Sequence, residues 1–176
     1  MKFSYKKLAM GVLASVMLAG AASAGELLVY SSTDADNLKY YMDNFQKDNP
    51  DIKVKVVRES TGTMAAKMMA EKDNPQADVL FEMAATVALN METQGMFHPY
   101  TPKGMDKIDQ RYVDKEGEVN WVGNYGWAGC ICWNTVEAKK LGLPKPKSWA
   151  DLTNPVYKGL ISMPNPNSSG TGFLDV

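Results

Sequence analysis

Three short stretches of this sequence hold the side chains best suited to handling an anion. They are Ser31-Ser32-Thr33, Ser60-Thr61-Gly62-Thr63 and Ser168-Ser169-Gly170-Thr171-Gly172. Each is built of hydroxyl residues and glycine, so each offers O–H donors and backbone N–H groups that no bulky side chain covers. None contains a lysine, although Arg58 stands just before the second. A neutral cradle of this kind binds an oxyanion through many hydrogen bonds and releases it readily. Ser168 and Ser169 also suit the N-cap of a helix opening around Gly170, and the positive end of a helix favours negative charge.

The same hydroxyls lack the partners that nucleophilic chemistry needs. The single histidine, His98, lies in "MFHPY", away from every serine-rich stretch, so no serine has an imidazole base beside it in sequence. "SSGTG" lacks the flanks of a nucleophile elbow, and no Walker lysine follows a glycine-rich loop. A secreted hydrolase using a serine-rich loop is the competing reading from another class; turnover rather than stoichiometric uptake would mark it. Cys130 and Cys132 sit two apart in "GCICWN", a spacing too tight for an unstrained disulfide. Ala128–Trp133 therefore reads as a buried strand with two small side chains on one face. No metal site and no cofactor is expected.

The elements that must position these loops alternate along the chain. Leu27–Tyr30 is a short apolar strand, followed by an amphipathic helix over Asp36–Lys47 with Leu38, Tyr41, Met42 and Phe45 on one stripe. Ile52–Val57, "IKVKVV", alternates like a strand with one wet face, and a helix rich in Met and Ala runs over Met64–Glu71. Asp78–Phe81 is a third strand, and "EMAATVALNMETQG" a third helix closed by Gly95. Between Met96 and Asn124 the pattern loosens; Trp121, Tyr125, Trp127 and Trp133 then crowd around the run at Ala128, as a core or a cleft wall. Leu160–Met163 reads as a strand broken by Pro164 and Pro166. Alternating strands and helices predict an α/β unit with a mainly parallel sheet. In such a sheet the loops after the strands gather at one edge, where ligands bind.

Met1–Ala24 has Lys2, Lys6 and Lys7, then an apolar run from Leu8 to Ala19, then Ala22-Ser23-Ala24. That is the pattern of a cleaved secretory signal peptide. Three of the 19 basic residues and none of the 20 acidic ones lie in this leader, so the remaining 152 residues carry a net charge of −4. A mildly acidic export product offers no basic stripe for nucleic acid and no basic amphipathic helix for a membrane surface.

Read together, "LLVYSS", "NPDIKVKVV", "ADVLFE", "GMFHPY" and "SWADLTNPVYKGLISMPNP" resemble the periplasmic solute-binding proteins of the ferric-iron and polyamine type. The closing "NPNSSGTGF" is most similar to the branch that binds 2-aminoethylphosphonate for an ATP-driven importer. The resemblance runs in order from about Leu27 to Phe173. It implies a type II fold of two α/β lobes, with 25–127 as lobe one and 128–176 as a crossing strand and the start of a second lobe that is incomplete here. It implies a monomer in the periplasm that hands a phosphonate-type anion to an inner-membrane permease and its ATPase. Carried over residue by residue, Ser31, Ser32 and Thr33, with Thr61, Gly62 and Thr63, would contact ligand from lobe one. Ser168, Ser169, Gly170 and Thr171 would hold the phosphonate from lobe two. Glu82, just past the third strand, would pair with a substrate ammonium. A ferric-iron or polyamine ligand is the alternative within the superfamily. The iron binders often place a histidine after the first strand, where this chain has Ser-Ser-Thr.

Overall fold

The computed structural model describes residues 25–115 and 118–176; the expected leader, Met1–Ala24, lies outside them. The first half is a three-stranded parallel sheet of β1 (Gly25–Ser31), β2 (Ile52–Arg58) and β3 (Val79–Phe81) in the order β2-β1-β3. Helices α1 (Ala35–Asp48), α2 (Thr61–Ala70) and α3 (Ala85–Thr93) follow the three strands in turn. Parallel strands need crossovers of this kind, because a hairpin cannot reverse the chain direction twice. The central strand reads "LLVY" without alternation because it is covered on both faces; Val29, Tyr30 and Ser31 are all buried. β2 sits at the edge and keeps its alternation, with Lys53 and Lys55 exposed and Ile52, Val54 and Val57 half-buried.

The register decides where the loops meet. Ser31 pairs with Arg58 on one side and with Phe81 on the other. All three strands therefore end in one row, and the three loops leave from the same edge. Beneath that row the core is small: Val29, Tyr30, Leu38, Met64, Ala88 and Met91 are the buried apolar residues of its strands and helices, and Val113 is buried in the segment that follows. On α1 the expected stripe is only partly inward. Leu38 is buried, but Tyr41 and Phe45 are exposed, and Tyr41 turns edge-on to Phe81 at 5.5 Å.

Beyond Asn124 the chain is more loosely built. α4 (Thr135–Leu141) is capped at both ends: Asn134 Oδ1 accepts from the N–H groups of Val136 and Glu137 at 3.1 Å, and Gly142 takes a left-handed φ of 64°. Two short 3₁₀ turns follow, Ala150–Thr153 and Pro155–Tyr157, and then α5 (Gly170–Leu174). Buried Tyr157 ties this part together, donating to the Pro144 carbonyl at 2.6 Å and meeting Trp133 edge-on at 6.2 Å.

Two expectations fail here. The crossing strand over Ala128–Trp133 is not formed, and Cys130 and Cys132 are exposed rather than buried. The run Leu160–Met163 is likewise no strand, with Leu160, Ile161 and Met163 exposed. The reason is the same for both. A strand exists only as a partner in a ladder, and no described strand pairs with either run. Among the described residues no helix is long and apolar enough to cross a membrane.

Candidate functional site

A cleft of about 550 Å³ opens at the carboxyl edge of the sheet. The residues at the starts of four helices border it: Asp34 before α1, Ser60 before α2, Ala84 before α3 and Ser169 before α5. No side chain caps α1, α2 or α3. The first-turn N–H groups of these three helices thus lack the usual side-chain acceptor, though at α2 the Gly62 N–H is taken by the Ser168 carbonyl, and the partial positive charge of each helix end adds to theirs. At α5 the cap is made: Ser169 Oγ accepts from Gly172 N at 3.3 Å.

The hydroxyls form a connected row across the loops. Thr61 Oγ1 donates to Ser32 Oγ at 3.2 Å, and Ser32 Oγ donates to the Glu82 carbonyl at 3.1 Å. The third loop is pressed against the second. Gly62 N donates to the Ser168 carbonyl at 3.1 Å, and a Cβ added at Gly62 would stand 2.4 Å from the Asn167 oxygen. A Cβ at Gly170 would stand 2.8 Å from Thr61 Oγ1. At Gly62 the obstacle is backbone, so glycine is required there; at Gly170 the Thr61 side chain would have to shift.

Of the eleven residues singled out by sequence, Ser32, Thr33, Thr61, Glu82, Ser169, Gly170 and Thr171 line the cleft. The other four do not line it. Ser31 is wholly buried, its Oγ accepting from Thr33 N at 3.2 Å. Thr63 Oγ1 pairs with Ser60 Oγ at 2.9 Å, while Gly62 and Ser168 join the two loops. These four shape the wall rather than face the space.

Glu82 has an unusual backbone. Its φ of 54° is the only positive value at a non-glycine described residue. That conformation costs a residue with a Cβ about 1–2 kcal/mol, and it holds only where the surroundings fix it. Here Ser32 binds the Glu82 carbonyl, and Asn124 Nδ2 donates to Glu82 Oε1 at 2.6 Å.

The cleft also contains side chains that the loop composition does not announce. Arg58 lines it, with Nε donating to the Thr33 carbonyl at 2.6 Å and Nη2 lying 4.0 Å from Asp34 Oδ1. The cradle is therefore not neutral: a guanidinium and two carboxylates, Asp34 and Glu82, share it. The signal was a cation at the last position of a strand, beside a serine-rich turn. Tyr125 and Trp127 of the aromatic cluster, and Tyr41 of α1, supply exposed aromatic faces on the same cleft, so these rings are wall rather than core. Cys130 is outside it; the Cys132 thiol beside it pushes its thiol upward. Among the described residues no three His, Cys, Asp or Glu side chains gather to hold a metal ion.

A parallel sheet flanked by helices, with a polar cleft at its carboxyl edge, is the α/β architecture of the type II periplasmic binding proteins, of which this chain covers about half. The chain belongs to the bacterial extracellular solute-binding protein family, whose profile matches residues 74–174. It is 29% identical to a probable ABC transporter periplasmic-binding protein, y4fP, of Sinorhizobium fredii, over 83% of this chain and 40% of that one. The periplasmic binding protein AfuA of Actinobacillus pleuropneumoniae, solved with exogenous fructose-6-phosphate bound, is 32% identical. It superposes with a TM-score of 0.68, covering 83% of this chain and 46% of AfuA. The periplasmic binding protein P5PA gives the same TM-score at 25% identity, covering 85% and 48%. These similar proteins are binding proteins rather than enzymes. The chain spans about half the length of the curated relatives it matches, 52% and 40%.

Proposed function

We propose that this chain belongs to the periplasmic capture component of an ATP-driven importer, and that its solute is a small phosphorus oxyanion carrying a cation, of the 2-aminoethylphosphonate type. One observation carries the reading. A single cleft holds Arg58, uncapped helix starts and a row of hydroxyls, together with the carboxylates of Asp34 and Glu82. The first group suits a tetrahedral oxyanion, which takes several donors at once. The second suits an ammonium, and Tyr125 and Trp127 add faces that attract a cation. AfuA's fructose-6-phosphate bears the same kind of oxyanion, which supports the phosphorus class; the two carboxylates favour a zwitterion over a sugar phosphate.

On this reading residues 25–127 form one wall of the binding cleft and 128–176 begin the opposite one. Ser32, Thr33 and Thr61 reach the solute from the sheet side, and Ser169, Gly170 and Thr171 from the α5 side. The solute is held by hydrogen bonds that exchange readily with water, as delivery to a permease requires.

The test is thermal unfolding of the protein in its exported form with 2-aminoethylphosphonate, fructose-6-phosphate, orthophosphate, putrescine or ferric citrate. The largest rise should come from 2-aminoethylphosphonate. Each hydrogen bond to a charged oxygen is worth about 1.5–3 kcal/mol, so Ser169→Ala or Thr171→Ala should weaken binding roughly ten- to a hundredfold. A larger rise with fructose-6-phosphate would move the assignment to sugar phosphates. A larger rise with putrescine or ferric citrate would overturn the phosphorus class.

A further inference from the structure

We propose that Asn124 is a positioning residue that sets the charge selectivity of the cleft by holding Glu82 for the cationic end of the solute. The inference rests on the zwitterionic ligand proposed above and deepens it. Asn124 Nδ2 donates to Glu82 Oε1 at 2.6 Å, at the exposed rim of the cleft. Among the described residues Oε2 has no hydrogen-bond partner, and Glu82 lines the cleft. One oxygen is thus committed to the protein and the other is left to accept from a ligand.

Two features show that this placement is built rather than incidental. Glu82 is held at a φ of 54°, and its carbonyl is fixed by Ser32, itself bound by Thr61. The backbone is therefore pinned from the strand side while the carboxylate is pinned from the Asn124 side. A side chain held at its backbone and at one carboxylate oxygen loses less freedom when an ammonium binds the other oxygen. Asn124 also lies at the start of the irregular segment that runs to α4, whereas Glu82 directly follows β3. The 2.6 Å bond joins residues 42 apart in sequence. An ammonium that engages Glu82 is thereby coupled to the segment leading out of the sheet.

The experiment compares two ligands of one shape, 2-aminoethylphosphonate and ethylphosphonate, by calorimetric titration of the exported protein, with weak binding read by competition. Asn124→Ala should weaken 2-aminoethylphosphonate about tenfold or more and ethylphosphonate by less than about twofold. Asn124→Leu, which removes the donor without adding charge, should lower that preference too, and it serves if the alanine variant folds poorly. Combining Asn124→Ala with Glu82→Gln should add little to the loss from Glu82→Gln alone, since both act through one contact. Equal losses for the two ligands, an unchanged preference, or additive losses would overturn the role of Asn124 while leaving the ligand reading intact. A wild-type protein that does not prefer 2-aminoethylphosphonate over ethylphosphonate would overturn both.

Discussion

At the scale of single residues, the clearest electrostatic unit lies beneath the cleft, where Tyr30, Lys67 and Glu71 meet. Glu71 accepts from Lys67 and from the Tyr30 hydroxyl at 3.0 and 3.3 Å, while Lys67 lies over the Tyr30 ring at 5.1 Å. The Lys67 hydrogen bond first, and then Tyr30, hold the Glu71 carboxyl below its ordinary value of 4.5. The Glu71 bond first, and then Tyr30, raise Lys67 above 10.5. A carboxyl depressed on folding contributes stability that is complete above its unfolded value and is lost as pH falls through its folded value. For an ammonium with a raised value, the contribution is complete below the unfolded value and lost as pH rises through the folded one. The pair therefore supports the fold between about pH 5 and pH 10 and fails at both ends. Asp109 beside Arg111, and Asp151 under the N–H groups of Lys147 and Ser148, are depressed as well and add to the acid side. Melting curves from about pH 6 down to about pH 3 should show a falling midpoint, with a shallower fall in Glu71→Gln. A Glu71→Gln variant as acid-sensitive as the parent would show that the carboxylate has no such role. This triad was not legible in the sequence, because Tyr30 reads simply as the last apolar residue of a strand. Arg58 was half legible: its position was visible, but only the register that sets it opposite Ser31 places it at the cleft.

At the scale of elements, sequence reasoning succeeded wherever an element finds its partner inside the described chain. The three strands and three helices of the sheet half lie where periodicity put them, because β1 pairs on both edges and the helices pack beside it. It failed at Ala128–Trp133 and Leu160–Met163, where local β-propensity is present and no ladder is. The join between α2 and the third loop shows how local propensity and packing can carry opposite signs. Gly62 is the second residue of α2, where alanine would ordinarily stabilise a helix by about 0.5–1 kcal/mol. Its missing Cβ, however, would lie 2.4 Å from the Asn167 oxygen and 2.8 Å from Ser168 Cα, both backbone atoms. Overpacking of that kind costs about 1–3 kcal/mol, so packing should win. We expect Gly62→Ala to lower the unfolding midpoint or to push the 165–171 loop off α2, with weaker binding of 2-aminoethylphosphonate either way. Gly126→Ala is the matching control, since nothing lies within 4 Å of its added Cβ. A Gly62→Ala protein as stable as the control, with unchanged binding, would mean that the loop does not rest on α2.

At the scale of the whole molecule, stability is unevenly shared. Six of the buried apolar residues, Val29, Tyr30, Leu38, Met64, Ala88 and Met91, belong to the sheet half. Among the described residues from 128 onward the buried apolar side chains are Ala138, Pro146 and Tyr157, while Trp149, Leu160, Ile161, Met163, Phe173 and Leu174 are exposed. Burial of apolar surface is the main favourable contribution to folding, so local opening should cost least where it is sparse. Hydrogen exchange should accordingly be slowest at Val29 and Tyr30, on the strand bonded along both edges, and much faster across 124–134 and 158–169. Addition of 2-aminoethylphosphonate should then act selectively. A ligand that binds only the closed arrangement stabilises it by mass action, so protection should rise at 31–34, 59–63 and 165–171, the loops that border the cleft, with little change at Lys53 or Lys55 on the edge strand. Residues 124–134 should follow the loops, because Asn124 is bonded to Glu82 in the cleft wall. Uniform exchange through both halves of the free protein would contradict the unequal core. Protection confined to the sheet-side loops would show that Ser169 and Thr171 do not reach the solute.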